Sequence, residues 1–255
     1  MRATAERKTD YLLIDISNSF TKLAFATADR VGRASRIPTR GLTRAALREI
    51  VGSRSVGSFI VSSVVPAKNQ VVSSAASGAR VLFLSAKSKL GVGVRYPKPE
   101  TIGADRLANA AAVAQLYGYP AIVVDFGTAV TFDVVSAAGD YVGGVIAPGL
   151  ESMTTFLYQR TALLPKLSLQ EPRRAIGKTT RAAMMSGAIY GYRGLVREIL
   201  ARVRAEAFGG VDVRVVATGG YAELIARTLP EIEAVHPGLT LEGLRIVGNL
   251  NPGRA

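Results

Sequence analysis

The chain has 255 residues, 48% of them hydrophobic and 20% charged, so it is long enough to bury one or two hydrophobic cores. It contains no cysteine, which excludes disulfides and thiolate metal sites, and its single histidine, His236, excludes most histidine-based metal sites. Its net charge of +13 could favour anionic ligands or nucleic acid. The basic residues are scattered rather than grouped with aromatic residues, so we interpret the charge as a solvated surface and expect no nucleic-acid partner.

Apolar segments are short throughout the sequence. None approaches the roughly 20 residues that span a bilayer. The polar stretch 1–10, MRATAERKTD, lacks the apolar centre of a signal peptide. We therefore expect a cytoplasmic location and no membrane partner.

The first half of the chain opens with a predicted hairpin. Leu12 to Asp15 has the pattern of a buried strand, a polar turn follows, and Lys22 to Thr27 predicts a second strand. After this hairpin the pattern predicts, in chain order, a helix over 42–51 with a threonine cap, strands over 59–65 and 81–85, and an alanine-rich helix over 103–118.

The opening pattern returns in the second half of the chain. The pattern predicts, in order, a strand, turn and strand over 121–135, helices over 149–160 and 180–205, and a strand, two glycines and a helix over 211–229. The two hairpins align Asp15 with Asp125, 110 residues later (125 − 15). The sequence therefore predicts an α/β fold of two similar lobes, residues 1–117 and 118–255.

An aspartate at a strand end followed by small residues suits phosphoryl transfer. Backbone amides in such a turn can reach phosphate oxygens, because no bulky side chain intervenes. The carboxylate is an oxygen ligand for Mg²⁺ or K⁺, although an aspartate here is more often a simple turn former. Two such turns facing each other across a cleft would hold one nucleotide, and the segment Thr218-Gly219-Gly220 would let its base or ribose approach the backbone closely. There is no GxxxxGK[ST] motif, which argues against a P-loop kinase.

These motifs resemble those of the type III pantothenate kinase family, also known as the Bvg accessory factor family, within the actin-like ATPase, Hsp70 and sugar-kinase superfamily. The matching segments are, in chain order, DISNSFTK (15–22), SSVVP (62–66), YPKPETIGADRLANA (96–110), DFGTAVT (125–131), GGVIAPG (143–149), TALLP (161–165), IGKTTRAAMMSGAIYG (176–191), TGG (218–220) and HPGLTLEGL (236–244). We expect 239–244 to form the family's closing strand.

The resemblance implies two actin-like, ribonuclease H-like lobes, each a mixed sheet flanked by helices, with the nucleotide cleft between them. It implies ATP-dependent phosphorylation of pantothenate to 4′-phosphopantothenate, the first step of coenzyme A biosynthesis. It also implies Mg²⁺, a monovalent cation (K⁺ or NH₄⁺) and a homodimer. The small residues along 182–194 would permit close helix packing in such a dimer, although buried helices of monomers share this feature.

Asp105 matches the family's catalytic base toward the pantothenate hydroxyl. A carboxylate in the first turn of a helix can also simply complement the helix dipole. The positions that match substrate contacts are Tyr96, Gly103, Ala104, Asp105, Arg106 and Thr180. In the family this threonine reaches across the dimer interface, and a helix N-cap is its alternative role.

The resemblance also assigns the ATP and cation positions. Asp125 matches the ligand of the monovalent cation, and Asp15 corresponds to the carboxylate on the Mg²⁺ side, directly or through water. The positions that match ATP contacts are Asp15, Ser17, Asn18, Ser19, Lys22, Gly127, Thr128 and Gly219.

Ser17 is the one departure that matters, because the family has glycine there. If the position requires a positive φ, serine costs roughly 1 kcal/mol of strain. If it requires close approach, the hydroxymethyl group crowds a phosphate oxygen or donates a hydrogen bond to it. Ser17 therefore leaves one alternative to a kinase, a non-catalytic nucleotide-binding paralogue acting as a regulator. A second alternative, a nucleic-acid-binding regulator, is suggested by the net charge.

Overall fold

The structure, a computed structural model, describes residues 9–253, so most of the polar stretch 1–10 lies outside the described residues. Contacts within the chain form two compact units. The first contains the described residues up to Leu116 together with those from Gly238 onward, and the second is Tyr117–Pro237. The predicted boundary near residue 117 is close to the observed one, but the segment after Pro237 lies in the first unit rather than the second.

The regular elements alternate between strands and helices along the chain. As far as Tyr117 they are β1 (Thr9–Ile16), β2 (Phe20–Ala26), β3 (Ser35–Pro38), α1 (Arg44–Val51), β4 (Val56–Ser63), α2 (Asn69–Ala75), β5 (Arg80–Phe83), β6 (Gly93–Val94) and α3 (Ala104–Tyr117). From there they are β7 (Ala121–Phe126), β8 (Ala129–Val135), β9 (Asp140–Pro148), α4 (Leu150–Arg160), α5 (Thr180–Phe208), β10 (Arg214–Gly219), α6 (Ala222–Ala226), β11 (Ala234–Val235) and α7 (Leu239–Leu250).

Both units contain the same strand arrangement. In the first, the strand order is β3-β2-β1-β4-β5, with β1 antiparallel to β2 and parallel to β4. In the second, the strands follow the order β9-β8-β7-β10-β11, with β7 antiparallel to β8 and parallel to β10. The predicted repeat is therefore confirmed, and each unit is a mixed sheet with helices. Strand β9 was not predicted, because its glycines and proline resemble a loop.

One face of β1 packs in the hydrophobic core, and the opposite face carries Asp15. Leu12, Ile14 and Ile16 are fully buried in the hydrophobic core of the first unit, together with Leu47 of α1. Since side chains alternate along a strand, Asp15 projects from the opposite face. Helix α1 begins as predicted with a threonine cap, because the Thr43 hydroxyl accepts a hydrogen bond from Ala46 N at 3.1 Å.

The segment 239–244 is helical, so the prediction of a closing strand was wrong. Its first residues alternate as a strand does, but the whole segment through Leu250 buries residues at helical spacing, among them Leu239, Gly243 and Val247. Helix α7 packs on β1 and β4. At Gly243 an added Cβ would collide with the Ala108 carbonyl, so glycine allows α7 to approach α3 closely. This packing is why the end of the chain joins the first unit.

Among the helices that the structure describes between residues 9 and 253, none combines the length and the apolar character needed to cross a membrane.

Candidate functional site

The first predicted phosphate turn lies between β1 and β2. Asp15 is 3% exposed and is the register partner of Lys22 on β2. Ser17 N donates a hydrogen bond to Phe20 O at 3.2 Å, which closes the turn and leaves Asn18 and Ser19 exposed. The local geometry is that of a short polar turn following a buried carboxylate.

Thr39 braces this turn from the neighbouring chain segment. Its hydroxyl donates to Ser17 O at 2.6 Å, and its backbone N–H donates to Ser19 O at 3.0 Å. The side chain is 3% exposed. The sequence gives no signal for Thr39, because nothing in the local pattern shows that residue 39 returns to the turn at residue 17.

Ser17 does not have the backbone conformation that would require glycine. Within residues 9–253, Ser77 is the one non-glycine residue with a positive φ. Ser17 therefore carries no left-handed strain. Serine in place of the family's glycine can therefore affect ATP binding only through the close approach of its hydroxymethyl group to a phosphate.

Asp105 lies in the first turn of α3, as predicted. Its Oδ1 accepts a hydrogen bond from Arg106 N at 2.9 Å. An added Cβ at Gly103 would lie 2.5 Å from the same oxygen, so Gly103 leaves the space that the carboxylate occupies. That Cβ position is also 3.6 Å from Val64 Cγ1. The segment that follows β4 is thus next to the turn that carries Asp105.

Asp15 and Asp105 lie at the same region of the first unit. Ser62 on β4 is the parallel register partner of Asp15, and Val64 N donates to Ile16 O at 3.0 Å. Val64 in turn lies beside Gly103, as described above. The end of β4 therefore links the β1 turn to the start of α3, and both predicted carboxylates belong to one part of the first unit.

The remaining predicted substrate residues of this unit surround Asp105 in sequence. Ala104 is buried, whereas Gly103 and Arg106 are half-buried. Tyr96 is half-buried and lies two residues after β6, before the 3₁₀ helix Pro99–Thr101.

The second predicted turn lies between β7 and β8. Asp125 is half-buried and has Thr131 and Thr218 as its register partners on the two flanking strands. Gly219 has a φ of +93°, and an added Cβ would lie 2.6 Å from Asp125 Oδ1. Glycine at 219 therefore allows the end of β10 to lie against the Asp125 carboxylate.

The exposed part of this turn is fastened to α4. Gly127 and Thr128 are exposed, and Gly127 N donates to Ala129 O at 3.0 Å. Thr128 O accepts hydrogen bonds from Gly149 N at 3.1 Å and from Ser152 Oγ at 2.9 Å. The predicted ATP residues Gly127, Thr128 and Gly219 thus occupy the region of Asp125.

Each carboxylate has a buried hydroxyl as its parallel neighbour. Ser62 beside Asp15 and Thr218 beside Asp125 are both 0% exposed. Neither hydroxyl oxygen has a hydrogen-bond partner within the described part of the chain. The sequence pattern indicated no role for either hydroxyl, although both residues lie in segments that carry the family resemblance.

Thr180 is exposed and is the first residue of α5, but it does not cap the helix. Thr179 is the N-cap, and its hydroxyl accepts a hydrogen bond from Ala182 N at 3.2 Å. The suggested capping role of Thr180 is therefore wrong by one residue. Because the cap must have extended backbone angles, which Thr179 adopts, the side chain of Thr180 is left available for another contact.

The carboxylates do not form a metal cage by themselves. Among residues 9–253, no group of three or more acidic, histidine or cysteine side chains could hold a metal ion. Mg²⁺ commonly uses one or two carboxylates together with substrate phosphates, so the single buried Asp15 fits such an ion. At Asp125, the buried and unpartnered hydroxyl of Thr218 offers a further oxygen, which fits a cation.

Sequence comparisons identify the family. The family model described as type III pantothenate kinase matches residues 11–202. A type III pantothenate kinase of Akkermansia muciniphila is 51% identical over 247 residues, covering 94% of this chain and 99% of the relative. Another, from Methylacidiphilum infernorum, is 39% identical over 239 residues and covers 94% and 88%.

Solved structures share the fold at low sequence identity. One described as a Baf family transcriptional activator from Campylobacter jejuni has a TM-score of 0.59 at 17% identity, covering 93% of this chain and 97% of that one. An inorganic polyphosphate/ATP-glucomannokinase from Arthrobacter has a TM-score of 0.50 at 13% identity, with 96% and 100% covered. These likenesses show the actin-like ATPase and sugar-kinase fold. The family model and the two relatives go further: this chain belongs to the type III pantothenate kinase family.

Proposed function

We propose that this chain transfers the γ-phosphoryl group of ATP to the 4′-hydroxyl of pantothenate, the first step of coenzyme A biosynthesis. Membership of the type III pantothenate kinase family supports the reaction. The structural observation that carries the proposal is the position of Asp105. Its carboxylate lies in the first turn of α3, in the space left by Gly103, next to the strand end that adjoins Asp15.

Asp105 accepts the proton of the 4′-hydroxyl in this proposal. The hydroxyl oxygen forms a bond to the γ-phosphorus, the bond from that phosphorus to the β–γ bridging oxygen breaks, and ADP leaves. The positive end of the α3 dipole and the hydrogen bond from Arg106 N favour the ionised carboxylate, which is the form that accepts a proton.

The turn after β1 binds phosphate. Backbone amides of the exposed residues Asn18 and Ser19 provide donors, and Lys22 supplies a positive charge close to Asp15 in the strand register. Asp15 would hold Mg²⁺, directly or through water. When bound, this ion neutralises charge on the phosphates during transfer.

The turn after β7 provides the remaining ATP contacts, from Gly127, Thr128 and Gly219. Its exposed glycine and threonine permit a close approach of phosphate to the backbone. Asp125 would hold a monovalent cation, K⁺ or NH₄⁺, whose charge offsets that of the phosphates.

Pantothenate contacts Tyr96 and residues 103–106 in this proposal, and Arg106 is suited to its carboxylate. Thr180 from a second copy of the chain completes the site. A cavity of about 550 Å³ lies at the start of α5 and includes Thr179 in its lining. The basic residues that line it are Arg173, Arg174, Lys178 and Arg181. This positive lining favours an anionic ligand near Thr180.

A homodimer is supported by the exposed surface of the second unit. An added Cβ at Gly187, Gly191 or Gly194 of α5 would meet nothing within 4 Å, so one side of this helix is open and flat. Large apolar side chains of the second unit are exposed on α4, on the segment between α4 and α5, and on α5 itself: Met153, Phe156, Leu157, Tyr158, Leu163, Ile176 and Tyr190. Exposed apolar side chains and an open helix face are typical of an interface between protein chains. A cytoplasmic location stays a prediction.

The test is an assay of ADP release with pantothenate, ATP, Mg²⁺ and K⁺. We expect pantothenate-dependent turnover, and a decrease in kcat of about 10²–10⁴-fold in Asp105→Asn with the fold retained. Asp29→Asn, at an exposed aspartate between β2 and β3, is the matched control and should keep normal turnover. No pantothenate-dependent ADP release in the wild type would refute the function, and near-normal turnover of Asp105→Asn would remove Asp105 from its role.

The second candidate is a non-catalytic regulator that binds nucleotide. Ser17 was the feature in its favour, and its ordinary backbone conformation removes the strain part of that argument. The same assay separates the two functions, because a regulator binds ATP without releasing ADP. The net charge of +13 leaves duplex DNA as a further ligand to test, and DNA affinity would fall steeply with salt concentration.

A further inference from the structure

Thr218 has a buried hydroxyl with no partner in the described chain. The residue is 0% exposed, and its Oγ1 makes no hydrogen bond among residues 9–253. A buried polar group left without a partner destabilises a fold, so native proteins have few of them, and such a group calls for an explanation. Threonine at this position is therefore not explained by the stability of β10.

The position of Thr218 points to a ligand. It is the parallel register partner of Asp125, so the two side chains project from the same face of the sheet. Gly219, the next residue, lies so close that an added Cβ would be 2.6 Å from Asp125 Oδ1. The end of β10 thus places the hydroxyl-bearing Thr218 next to Asp125 on one face of the sheet, and the backbone of Gly219 against the half-buried Asp125 carboxylate.

The chemistry of this group favours a cation over an anion. The Asp125 carboxylate carries negative charge and accepts hydrogen bonds only, and a threonine hydroxyl offers two lone pairs. Carboxylate, hydroxyl and carbonyl oxygens are the ligands of hard cations. A group with one carboxylate and otherwise neutral oxygens matches the low charge of a monovalent ion, whereas a phosphate oxygen would be repelled by Asp125.

We infer that the Thr218 hydroxyl is a direct ligand of a monovalent cation held by Asp125. This inference rests on the proposed cation site and adds a residue to it. Cation binding supplies the partner that Thr218 Oγ1 lacks within the chain. Threonine at residue 218 thus trades stability of the cation-free protein for cation affinity.

The experiment compares Thr218→Val with Thr218→Ser by thermal unfolding of the full chain. Valine has nearly the shape of threonine but no hydroxyl, and serine keeps the hydroxyl. Melting temperatures are measured in KCl, and in choline chloride at the same ionic strength, without substrates and again with ATP. Ser62→Ala is the matched control, since it removes a buried unpartnered hydroxyl at the equivalent position of the first unit.

For the wild type, we expect the melting temperature to rise with KCl beyond its value in choline chloride, because a ligand that binds the folded state stabilises it. For Thr218→Val, the half-saturating KCl concentration should increase by about 10-fold or more, while the melting temperature in choline chloride should not fall. Thr218→Ser and Ser62→Ala should respond to KCl as the wild type does.

The inference is overturned if Thr218→Val responds to KCl as the wild type does. It is also overturned if this variant has a lower melting temperature than the wild type in choline chloride, because the hydroxyl would then stabilise the fold without a cation. If the wild type does not respond to KCl, no cation site exists at Asp125 and the inference fails. The kinase proposal is judged separately, by pantothenate-dependent ADP release.

Discussion

Arg193 on α5 holds Glu171 through two parallel hydrogen bonds, 2.9 Å from Nη1 to Oε1 and 2.7 Å from Nη2 to Oε2. The guanidinium group is 4% exposed and also donates to the carbonyls of Ile225 and Leu224, at 3.2 Å and 2.8 Å. Glu171 belongs to the irregular segment between α4 and α5. This ion pair therefore fastens the segment that precedes Thr180 to the body of the second unit.

The ion pair makes stability depend on pH in the acid range. The hydrogen bond from Arg193 lowers the pKa of Glu171 below its usual value of 4.5. The unfolded chain therefore takes up this proton first as the pH falls. The contribution of Glu171 to the free energy of unfolding is present above about pH 4.5 and is lost as the pH falls through the lowered pKa.

Glu171→Gln should flatten this acid dependence. At neutral pH we also expect a decrease of at most about 3 kcal/mol in the free energy of unfolding, because Arg193 then lacks its counter-charge. Urea unfolding between pH 3 and 7 measures both effects. Glu198→Gln, which breaks an exposed pair with Arg202 at 2.7 Å, is the control and should change stability by less than about 0.5 kcal/mol. Equal pH profiles for Glu171→Gln and the wild type would contradict this account.

Gly219→Ala should damage the second turn, whereas Gly220→Ala should not. At 219 the φ is +93° and an added Cβ would lie 2.6 Å from Asp125 Oδ1 and from the Phe126 backbone. At 220 the same atom would meet nothing within 4 Å. We expect a loss of at least about 2 kcal/mol of stability and weaker ATP binding for Gly219→Ala. Urea unfolding and calorimetric titration with ATP measure these changes, and similar results for both variants would refute the prediction.

Gly103→Ala should reduce turnover with little loss of stability. The added Cβ would lie 2.5 Å from Asp105 Oδ1, and a side chain can rotate away more easily than a backbone can shift. Displacing a catalytic group by about 1 Å lowers kcat by about 10²-fold. The control is Gly41→Ala, because an added Cβ there meets nothing within 4 Å. The prediction fails if kcat is unchanged. It also fails if the melting temperature of Gly103→Ala is clearly lower than that of Gly41→Ala, because the lost turnover would then reflect lost stability.

Gly187→Leu should separate the proposed dimer into monomers. Within one chain the position is open, so leucine fits the exposed face of α5 and can raise helix propensity. In a close helix contact the same side chain would force the two chains apart. Glu206→Leu places leucine on an exposed position of the last turn of α5 and serves as the control. Light scattering at micromolar concentration measures the mass. If Gly187→Leu is a dimer, this face of α5 is not the dimer interface.

The local pattern of the sequence was sufficient to predict the two hairpins and the helix that carries Asp105. A strand, an acidic turn and a second strand are defined by neighbouring residues, so Asp15 and Asp125 could be placed at strand ends without knowledge of the fold. The same is true of Asp105, since the glycine before it and the alanine-rich run after it define the start of α3. The order of the motifs along the whole chain was sufficient to identify the family, which the comparisons confirm.

Tertiary structure decided which distant residues became neighbours. Ser62 lies beside Asp15 and Thr218 beside Asp125 because β4 and β10 pair in parallel with strands that are far away in sequence. Thr39 braces the first turn for the same reason. The register between distant strands, and the packing of α7 on the first unit, depend on the whole buried surface rather than on a local pattern, so the sequence showed neither.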